Sequence, residues 1–197
     1  MQNLVAQVHP EWREIISHAL AAMNHDYLVE LQSQKQWLPG ENCLLAAFSL
    51  PLSSTRYVLL GESPYPRLQS ANGYAFWDAA VGSLWSPGGL SKEVNRATSL
   101  RNLLKMMLFA RGDLTNDFSQ QAIAHLAKSR YIQTGSELFS AFIDRGFLLL
   151  NASLVYREKL VPYDAKQWRP FIHTLLNELS AYNPSLKLIL LGRIAQQ

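Results

Sequence analysis

The chain contains three short stretches of continuous apolar residues, which are separated by longer segments of mixed polarity. The stretches are Tyr57–Leu60, Phe147–Leu150 and Leu186–Leu191. Continuous apolar runs of this length are typical of parallel strands that are covered on both faces. We therefore predict three buried parallel strands, the third of which reaches Gly192.

The segments between these runs carry apolar residues at helical spacing. In the first half of the chain the spacing predicts a helix that opens at His9–Glu11 and continues to Tyr27, and one or two helical turns over Cys43–Phe48. In the middle it predicts a helix that starts at a Thr98–Ser99 cap and ends at Gly112, and a weaker helical segment around Ile123 and Leu126. Two further helices are predicted, one through Leu138 and Ile143 that ends at Gly146, and one over Trp168–Leu179 with Pro170 in its first turn. Strands alternating with helices predict a three-layer α/β/α fold around a central parallel sheet.

Two segments lack either pattern and are predicted as turns or loops. Asn72–Gly73 is typical of a tight turn, and Gly82–Gly89 is predicted to be a loop because of its Ser-Pro-Gly-Gly centre. The first strand runs into another loop, Gly61–Pro66, where a glycine and two prolines surround Glu62, Ser63 and Tyr65. Ligands of open α/β sheets bind beyond the carboxyl ends of the strands, so this loop resembles the floor of a ligand site.

The length and composition of the chain restrict the class of protein to which it can belong. With 197 residues, 48% apolar and 17% charged, we expect one globular domain over residues 1–197. No apolar run approaches the roughly 18 residues of a membrane span, and the N-terminus lacks a secretory pattern. A single cysteine, Cys43, fits a reducing cytosol, so we expect a cytoplasmic monomer. Without a CxxC pair, paired histidines or a dinucleotide fingerprint, we expect no metal and no cofactor.

The positive charge is concentrated after the first strand. The net charge is +3, and residues 61–197 hold fifteen Lys and Arg against ten Asp and Glu. This excess is compatible with a phosphate-bearing partner, although an ordinary solvated surface explains it equally well.

Five segments then stand out together: GESPYP (61–66), NGYAFW (72–77), ATSLRNLLKMM (97–107), RGFLLLNASLVYR (145–157) and LILLGRIAQ (188–196). In this order and spacing they resemble the motifs GQDPYH, HGLAFS, PPSLxNxYKEL, QGVLLLNxxLTVR and LLWGSxAQ of the uracil-DNA glycosylase superfamily. The segment WLPGENCLLAAFSLPL (37–52) is similar to the stretch that precedes the family's first strand.

The resemblance implies specific roles for single residues. Phe76 would stack on a flipped-out uracil, Asn151 would pair with the uracil edge, and Tyr65 would exclude the methyl group of thymine. Pro64 and Ser99 would contact DNA. Considered alone, Phe76 and Tyr65 also suit packing, Asn151 a turn, and Ser99 a helix cap.

The chain departs from the family pattern at two places. Ser63 occupies the position of the family aspartate, and Glu62 stands where the common motif has glutamine, so Glu62 is predicted to orient the water. A loop-surface acid is the alternative for Glu62. A segment resembling HPSPLS, which supplies a histidine and an apolar wedge, has no counterpart before Gln197. From this we expect a domain that lacks the last strand and helix of the fold.

The resemblance implies hydrolysis of the N-glycosidic bond of uracil in single- or double-stranded DNA, as a step of base excision repair. Two alternatives remain open. The chain could be a weak or inactive family member that binds DNA or a protein partner, as Ser63 suggests. It could also be a glycosylase for another damaged base, with a pocket reshaped around Trp77.

Overall fold

The computed structural model describes residues 2–191, in which eight α-helices and five β-strands are assigned. In chain order they are α1 (Gln2–Val5), α2 (Arg13–Ala21), α3 (His25–Ser33), β1 (Tyr57–Gly61), β2 (Trp85–Ser86), β3 (Gly89–Leu90), α4 (Lys92–Arg96), α5 (Thr98–Ala110), α6 (Gln120–Ala124), α7 (Gly135–Asp144), β4 (Phe147–Asn151), α8 (Val161–Tyr182) and β5 (Lys187–Leu190). Short 3-10 turns connect several of them, including Glu41–Cys43 and Ala46–Ser49 within the region predicted to form one or two helical turns.

The described residues form two compact units. The first comprises the residues up to 75 and those from 142 onward, and the second comprises residues 76–141. The expected single domain over residues 1–197 stays a prediction.

The first unit is built on a parallel sheet in which β1 lies between β4 and β5, as the three apolar runs predict. One face of β1 and β4 packs into a core formed with α2, α3 and α8. The opposite face presents Leu59 and Leu149, which are also buried. Because both faces of β1 and β4 are covered, their sequences are apolar without alternation.

The prediction that the third strand is buried is wrong for β5. Leu188 and Leu190 are 44% and 39% exposed, because β5 occupies an edge of the sheet and pairs only with β1 among the described residues. An apolar run indicates a strand, but its burial depends on what packs against it. The predicted end of this run at Gly192 lies outside the described residues.

The first predicted helix is in fact two helices. α2 ends at Ala21, and α3 begins at His25 after the N-cap residue Asn24, whose Oδ1 accepts hydrogen bonds from the N–H groups of Asp26 and Tyr27. The apolar spacing hides this break because both helices bury a stripe against the same core. An asparagine that satisfies free N–H groups can start a new helix inside a continuous pattern.

Two other helix starts differ from the prediction. α8 begins at Val161 with Pro162 in its first turn, so Pro170 lies inside the helix. Thr98 and Ser99 lie within the first turn of α5, whose N-cap is Ala97 and has no side-chain hydrogen bond. A serine does cap the preceding helix, since Ser91 Oγ accepts from the N–H of Val94 at the start of α4.

The remaining segments follow their predictions with one exception. The predicted Gly82–Gly89 loop contains β2 and leads into β3, with which β2 forms a short antiparallel pair. The weak helical signal around Ile123 corresponds to α6. Both glycines that were predicted to end helices, Gly112 and Gly146, have positive φ angles, of 78° and 83°.

Gly146 offers a test of how tightly the start of β4 is packed. A Cβ at Gly146 would lie 2.3 Å from the carbonyl oxygen of Ser54, whereas a Cβ at Gly112 would meet no atom within 4 Å. We expect Gly112→Ala to lower the free energy of unfolding by about 1–2 kcal/mol, the penalty of a left-handed backbone. Gly146→Ala should cost a further ~1–3 kcal/mol, because the backbone must move to relieve the clash.

Urea unfolding of both variants measures the difference. Equal destabilisation by the two substitutions would contradict the close approach of Gly146 to Ser54.

Candidate active site

The parallel strands β1 and β4 end side by side, which brings two of the predicted site residues to one edge of the sheet. Gly61 lies opposite Asn151 in the register. Beyond the strands the N–H of Ala152 donates to the carbonyl of Gly61 at 2.8 Å, and the N–H of Ser153 donates to the carbonyl of Glu62 at 3.0 Å. The loop that carries Glu62 is therefore held against the residues that follow Asn151.

Asn151 is only 2% exposed. Asn151 is the last residue of the buried strand β4, and its side-chain amide carries both a donor and an acceptor. An amide in this position is suited to bind a ligand that offers both an acceptor and a donor.

The loop after β1 differs in exposure from residue to residue. Glu62 is exposed, Ser63 and Tyr65 are half-buried, and Pro64 is buried. Prolines restrict the backbone, so this loop presents a carboxylate and a hydroxyl from a stiff support. Pro64 packs inside the protein, and its predicted contact with DNA stays a prediction.

The predicted turn at Asn72–Gly73 returns the chain to the sheet. Gly73 has a φ of 88°, and a Cβ there would lie 2.0 Å from the carbonyl oxygen of Cys43, so only glycine fits. The N–H of Tyr74 donates to Asn72 Oδ1 at 3.1 Å, and the N–H of Ala75 donates to the carbonyl of Leu149 at 3.0 Å. The predicted turn is confirmed, and it places Ala75 beside β4 near Asn151.

Phe76 and Ser99 belong to the second compact unit. Phe76 is half-buried and has a φ of 65°, a conformation that costs a non-glycine residue roughly 1–2 kcal/mol and often occurs at functional sites. Its neighbour Trp77 stacks on Phe139, with ring centroids 5.4 Å apart. Ser99 is exposed in the first turn of α5. The predicted contacts of Phe76 with uracil and of Ser99 with DNA stay predictions.

A buried ion cluster stabilises the chain that follows Asn151. Arg157 is 7% exposed and donates to both carboxylate oxygens of Asp164, which is fully buried. Its Nη1 donates to Glu30 Oε1 at 2.5 Å and to Gln34 Oε1 at 3.2 Å. Tyr27 Oη completes the cluster by donating to Asp164 at 2.9 Å. The cluster therefore joins the loop after β4 to α3 and α8.

The cluster perturbs the ionisation of its members. Hydrogen bonding to Asp164 raises the pKa of Arg157 above its ordinary value, and the hydrogen bond from Arg157 lowers the pKa of Glu30. Burial, together with the nearby carboxylate of Asp164, raises the pKa of Tyr27. Arg157 thus stays charged and Tyr27 stays neutral across physiological pH, so their hydrogen bonds in the cluster persist over this range.

No pattern in the sequence predicts a role for these residues. Arg157 ends the segment RGFLLLNASLVYR, which was identified by resemblance alone, and its carboxylate partners Glu30 and Asp164 are distant in sequence. A buried arginine needs paired carboxylates, but no local pattern identifies which ones. The cluster is therefore visible only in the folded chain.

Within residues 2–191, no three His, Cys, Asp or Glu side chains are grouped closely enough to hold a metal ion. A search of the same residues finds no helix that combines the length and hydropathy of a membrane span.

Known proteins resemble the chain over nearly its whole length. The wild-type UNG crystal structure from Nitratifractor salsuginis is 43% identical, superimposes with a TM-score of 0.87, and is matched over 99% of this chain and 80% of its own. A single-site mutant of the same protein is 42% identical with a TM-score of 0.88. These matches show the predicted three-layer α/β/α fold with a central parallel sheet.

More distant relatives agree with this match. Uracil-DNA glycosylases from Nocardioides sp. and Amoebophilus asiaticus are 28% and 24% identical, over 95% and 96% of this chain and 70% and 76% of their own lengths. The mimivirus uracil-DNA glycosylase structure shares the fold at 16% identity and a TM-score of 0.57, over 90% of this chain and 58% of its own. No protein-family model matches the chain.

Removal of Arg157 tests the buried cluster. In Arg157→Met the carboxylate of Asp164 loses its guanidinium partner inside the protein, so we expect the free energy of unfolding to fall by about 3–5 kcal/mol. The matched control is Arg111→Met, which breaks an exposed ion pair with Asp113 and should change stability by less than ~1 kcal/mol.

Urea unfolding of both variants and of Arg157→Met/Asp164→Leu measures these effects. The double variant should recover part of the loss, because no unpaired charge stays buried. A loss below ~1 kcal/mol for Arg157→Met alone would contradict the role of the cluster.

Proposed function

The chain belongs to the uracil-DNA glycosylase family, and on this premise we propose that it excises uracil from DNA in base excision repair. The observation that carries the proposal is the nearly buried amide of Asn151, held at the carboxyl edge of the sheet beside the Glu62 loop. The substrate is uracil in single- or double-stranded DNA.

Recognition of the base rests on the amide of Asn151. Inside a duplex the glycosidic bond is inaccessible, so the nucleotide must first be extruded from the base stack. The Asn151 Nδ2 group then donates to a uracil carbonyl, while Oδ1 accepts from the uracil N3–H. Cytosine presents an amino group and an unprotonated N3 at these positions, so an amide held in one orientation discriminates against it.

The reaction adds one water across the N-glycosidic bond. The bond between C1′ and N1 breaks, uracil departs with the electron pair, and the sugar passes through a cation that resembles an oxocarbenium ion. Water attacks C1′ and passes a proton to Glu62. Glu62 returns to its carboxylate form when it releases this proton, and the uracil anion takes up one proton in exchange through the solvent. The products are free uracil and an abasic sugar with a hydroxyl at C1′.

Ser63 limits the charge that the loop can offer to the sugar cation. A serine hydroxyl can position water by hydrogen bonding, but it carries no negative charge and is a poor base. The carboxylate of Glu62 is the nearest acid along the loop, and its backbone is anchored by Ser153. We assign the general-base role to Glu62 and the positioning of water to Ser63.

The remaining assignments are proposals for single residues. Tyr65 excludes the thymine methyl group, Phe76 stacks on the extruded base, and Pro64 and Ser99 contact the DNA backbone. The backbone strain at Phe76 supports a functional role for its ring. We further propose that the protein acts as a cytoplasmic monomer.

A second function is favoured by the serine at position 63. A family member without the aspartate could bind DNA or a protein partner through the same surface and release no base. Excision of another damaged base is a third possibility that the same assays address.

Substitution of Asn151, which carries the proposed recognition amide, and of Glu62, the proposed general base, tests the function directly. We expect Asn151→Ala to lower kcat/KM for uracil release by about 10²–10³-fold, since the base loses its paired donor and acceptor. Glu62→Gln should lower kcat by about 10²-fold or more, because it cannot accept the proton. Glu14→Gln, which replaces an exposed acid in α2, is the control and should retain activity.

The measurement is release of uracil from single- and double-stranded oligonucleotides, with parallel reactions on other damaged bases. If the parent protein binds DNA and releases no base, the enzyme proposal fails and the binding function is supported. Full activity in Glu62→Gln would show that another group activates the water.

Introduction of the missing carboxylate tests the interpretation of Ser63. We expect Ser63→Asp to raise kcat for uracil release by at least about tenfold, because a charge near the sugar cation stabilises the transition state. Ser185→Asp adds the same charge at an exposed turn and controls for altered affinity to DNA. A decrease in kcat for Ser63→Asp would show that the site depends on the hydroxyl itself.

A further inference from the structure

The second compact unit contains a cleft of about 260 Å³, and none of the residues that line it belongs to the proposed active site. Most of its wall is aliphatic and is formed by Leu84, Leu104, Met107, Leu108, Ile132 and Leu138. Cofactors and drug-sized ligands occupy roughly 300–1,000 Å³. The cleft therefore suits a single large apolar side chain better than a molecule of that size.

Hydrogen bonds hold two walls of the cleft together. The indole N–H of Trp85 donates to the carbonyl of Ile132 at 2.7 Å, and the N–H of Leu84 donates to the carbonyl of Gln133 at 2.8 Å. The ring of Trp85 lies against the ring of Tyr131, with their centroids 5.4 Å apart. Because these walls are already fixed to each other, a partner loses little affinity to their ordering.

The third wall is one face of α5 and the residue that follows the helix. Leu104, Met107, Leu108 and Arg111 occur at the i, i+3, i+4 and i+7 spacing that places side chains on one side. Leu104 and Leu108 are buried, Met107 is half-buried and Arg111 is exposed. Methionine side chains adapt to apolar groups of different shape. This face therefore combines an apolar floor with a cationic rim.

The charge at the rim is positive. Arg111 and Arg130 line the cleft, and no acidic side chain of the described residues does so. The guanidinium of Arg111 pairs with Asp113 at 2.9 Å, whereas Arg130 is exposed and forms no ion pair within residues 2–191. A carboxylate of a partner would therefore meet a positive charge that no acid of this protein compensates.

A nucleic acid and a protein are the two classes of partner that could supply negative charge. Single-stranded nucleic acids bind through bases that stack on aromatic side chains. The ring of Tyr131 already contacts Trp85 and the guanidinium of Arg111, which lies 5.1 Å from its centroid. Aromatic residues, methionine and arginine are enriched at protein–protein interfaces, and an aliphatic wall matches an apolar side chain. These features favour a protein.

We propose that this cleft binds an acidic peptide segment of a partner protein. One bulky apolar side chain of the segment inserts between Leu104 and Leu138, and its carboxylates contact Arg130 and Arg111. This inference goes beyond the proposed excision of uracil, since binding uses none of the residues assigned to that reaction. Ser99, the proposed DNA contact in α5, lies eight residues before Met107, about 12 Å along the helix.

Selection of peptides tests both features of the partner. A displayed library of random dodecapeptides is selected on the whole protein, and the affinity of the enriched peptides is measured by fluorescence polarisation. We expect enriched sequences to combine a tryptophan, phenylalanine or leucine with several acidic residues. Replacement of that apolar residue by alanine should weaken binding at least about tenfold, because the side chain that fills the cleft is lost.

Variants of the protein assign the binding to the cleft. Arg130→Glu should weaken binding of the peptides at least about tenfold, because it places a negative charge opposite their carboxylates. The matched control is Arg13→Glu, which reverses an exposed charge in α2 and should leave the affinity within about twofold. The readout is peptide affinity, so this result is independent of whether the protein releases uracil.

Three results would overturn the proposal. The first is a selection that enriches no peptide with both an apolar anchor and acidic residues. The second is equal affinity of the peptides for the parent protein and for Arg130→Glu. The third is displacement of the peptides by single-stranded oligothymidylate that itself binds more weakly to Arg130→Glu, which would assign the cleft to a nucleic acid.

Discussion

The parallel register between β1 and β4 is the constraint on which the site depends. Because Gly61 lies opposite Asn151, the two strands end together, and the N–H groups of Ala152 and Ser153 continue the pairing onto Gly61 and Glu62. Side chains alternate between the faces of a strand, so a slip of one residue would point the Asn151 amide to the opposite face. The hydrogen bonds from Ala152 to Gly61 and from Ser153 to Glu62 oppose such a slip.

Two further supports hold the segments around this register. Arg157 joins the loop after β4 to Asp164 in α8 and Glu30 in α3, so a buried ion cluster supports the chain just beyond Asn151. On the other side, Gly73 packs against Cys43 and directs Ala75 back to Leu149. Exact positioning of an amide that recognises a base requires such support, because misplacement by about 1 Å can reduce the rate 10²-fold.

The Gly61–Pro66 loop carries one acidic side chain, Glu62, and has a serine where the family motif has an aspartate. Ser63 offers a hydroxyl where the motif has an aspartate, and in the proposed mechanism Glu62 supplies the negative charge for the sugar cation. Asn151 and Glu62 both lie at the carboxyl edge of the sheet, an arrangement that is compatible with catalysis.

The sequence by itself determined the fold class, the strands β1 and β4 and the family, because continuous apolar runs and ordered motifs are local signals. It placed Asn151 at the end of a strand for the same reason. Only the tertiary structure decided that β5 is exposed and pairs with β1 alone among residues 2–191, that Asn24 divides a helical pattern, and that Arg157 pairs with distant carboxylates. Burial and ion pairing depend on which segments contact each other in the folded chain, and a periodic pattern along the sequence does not identify those contacts.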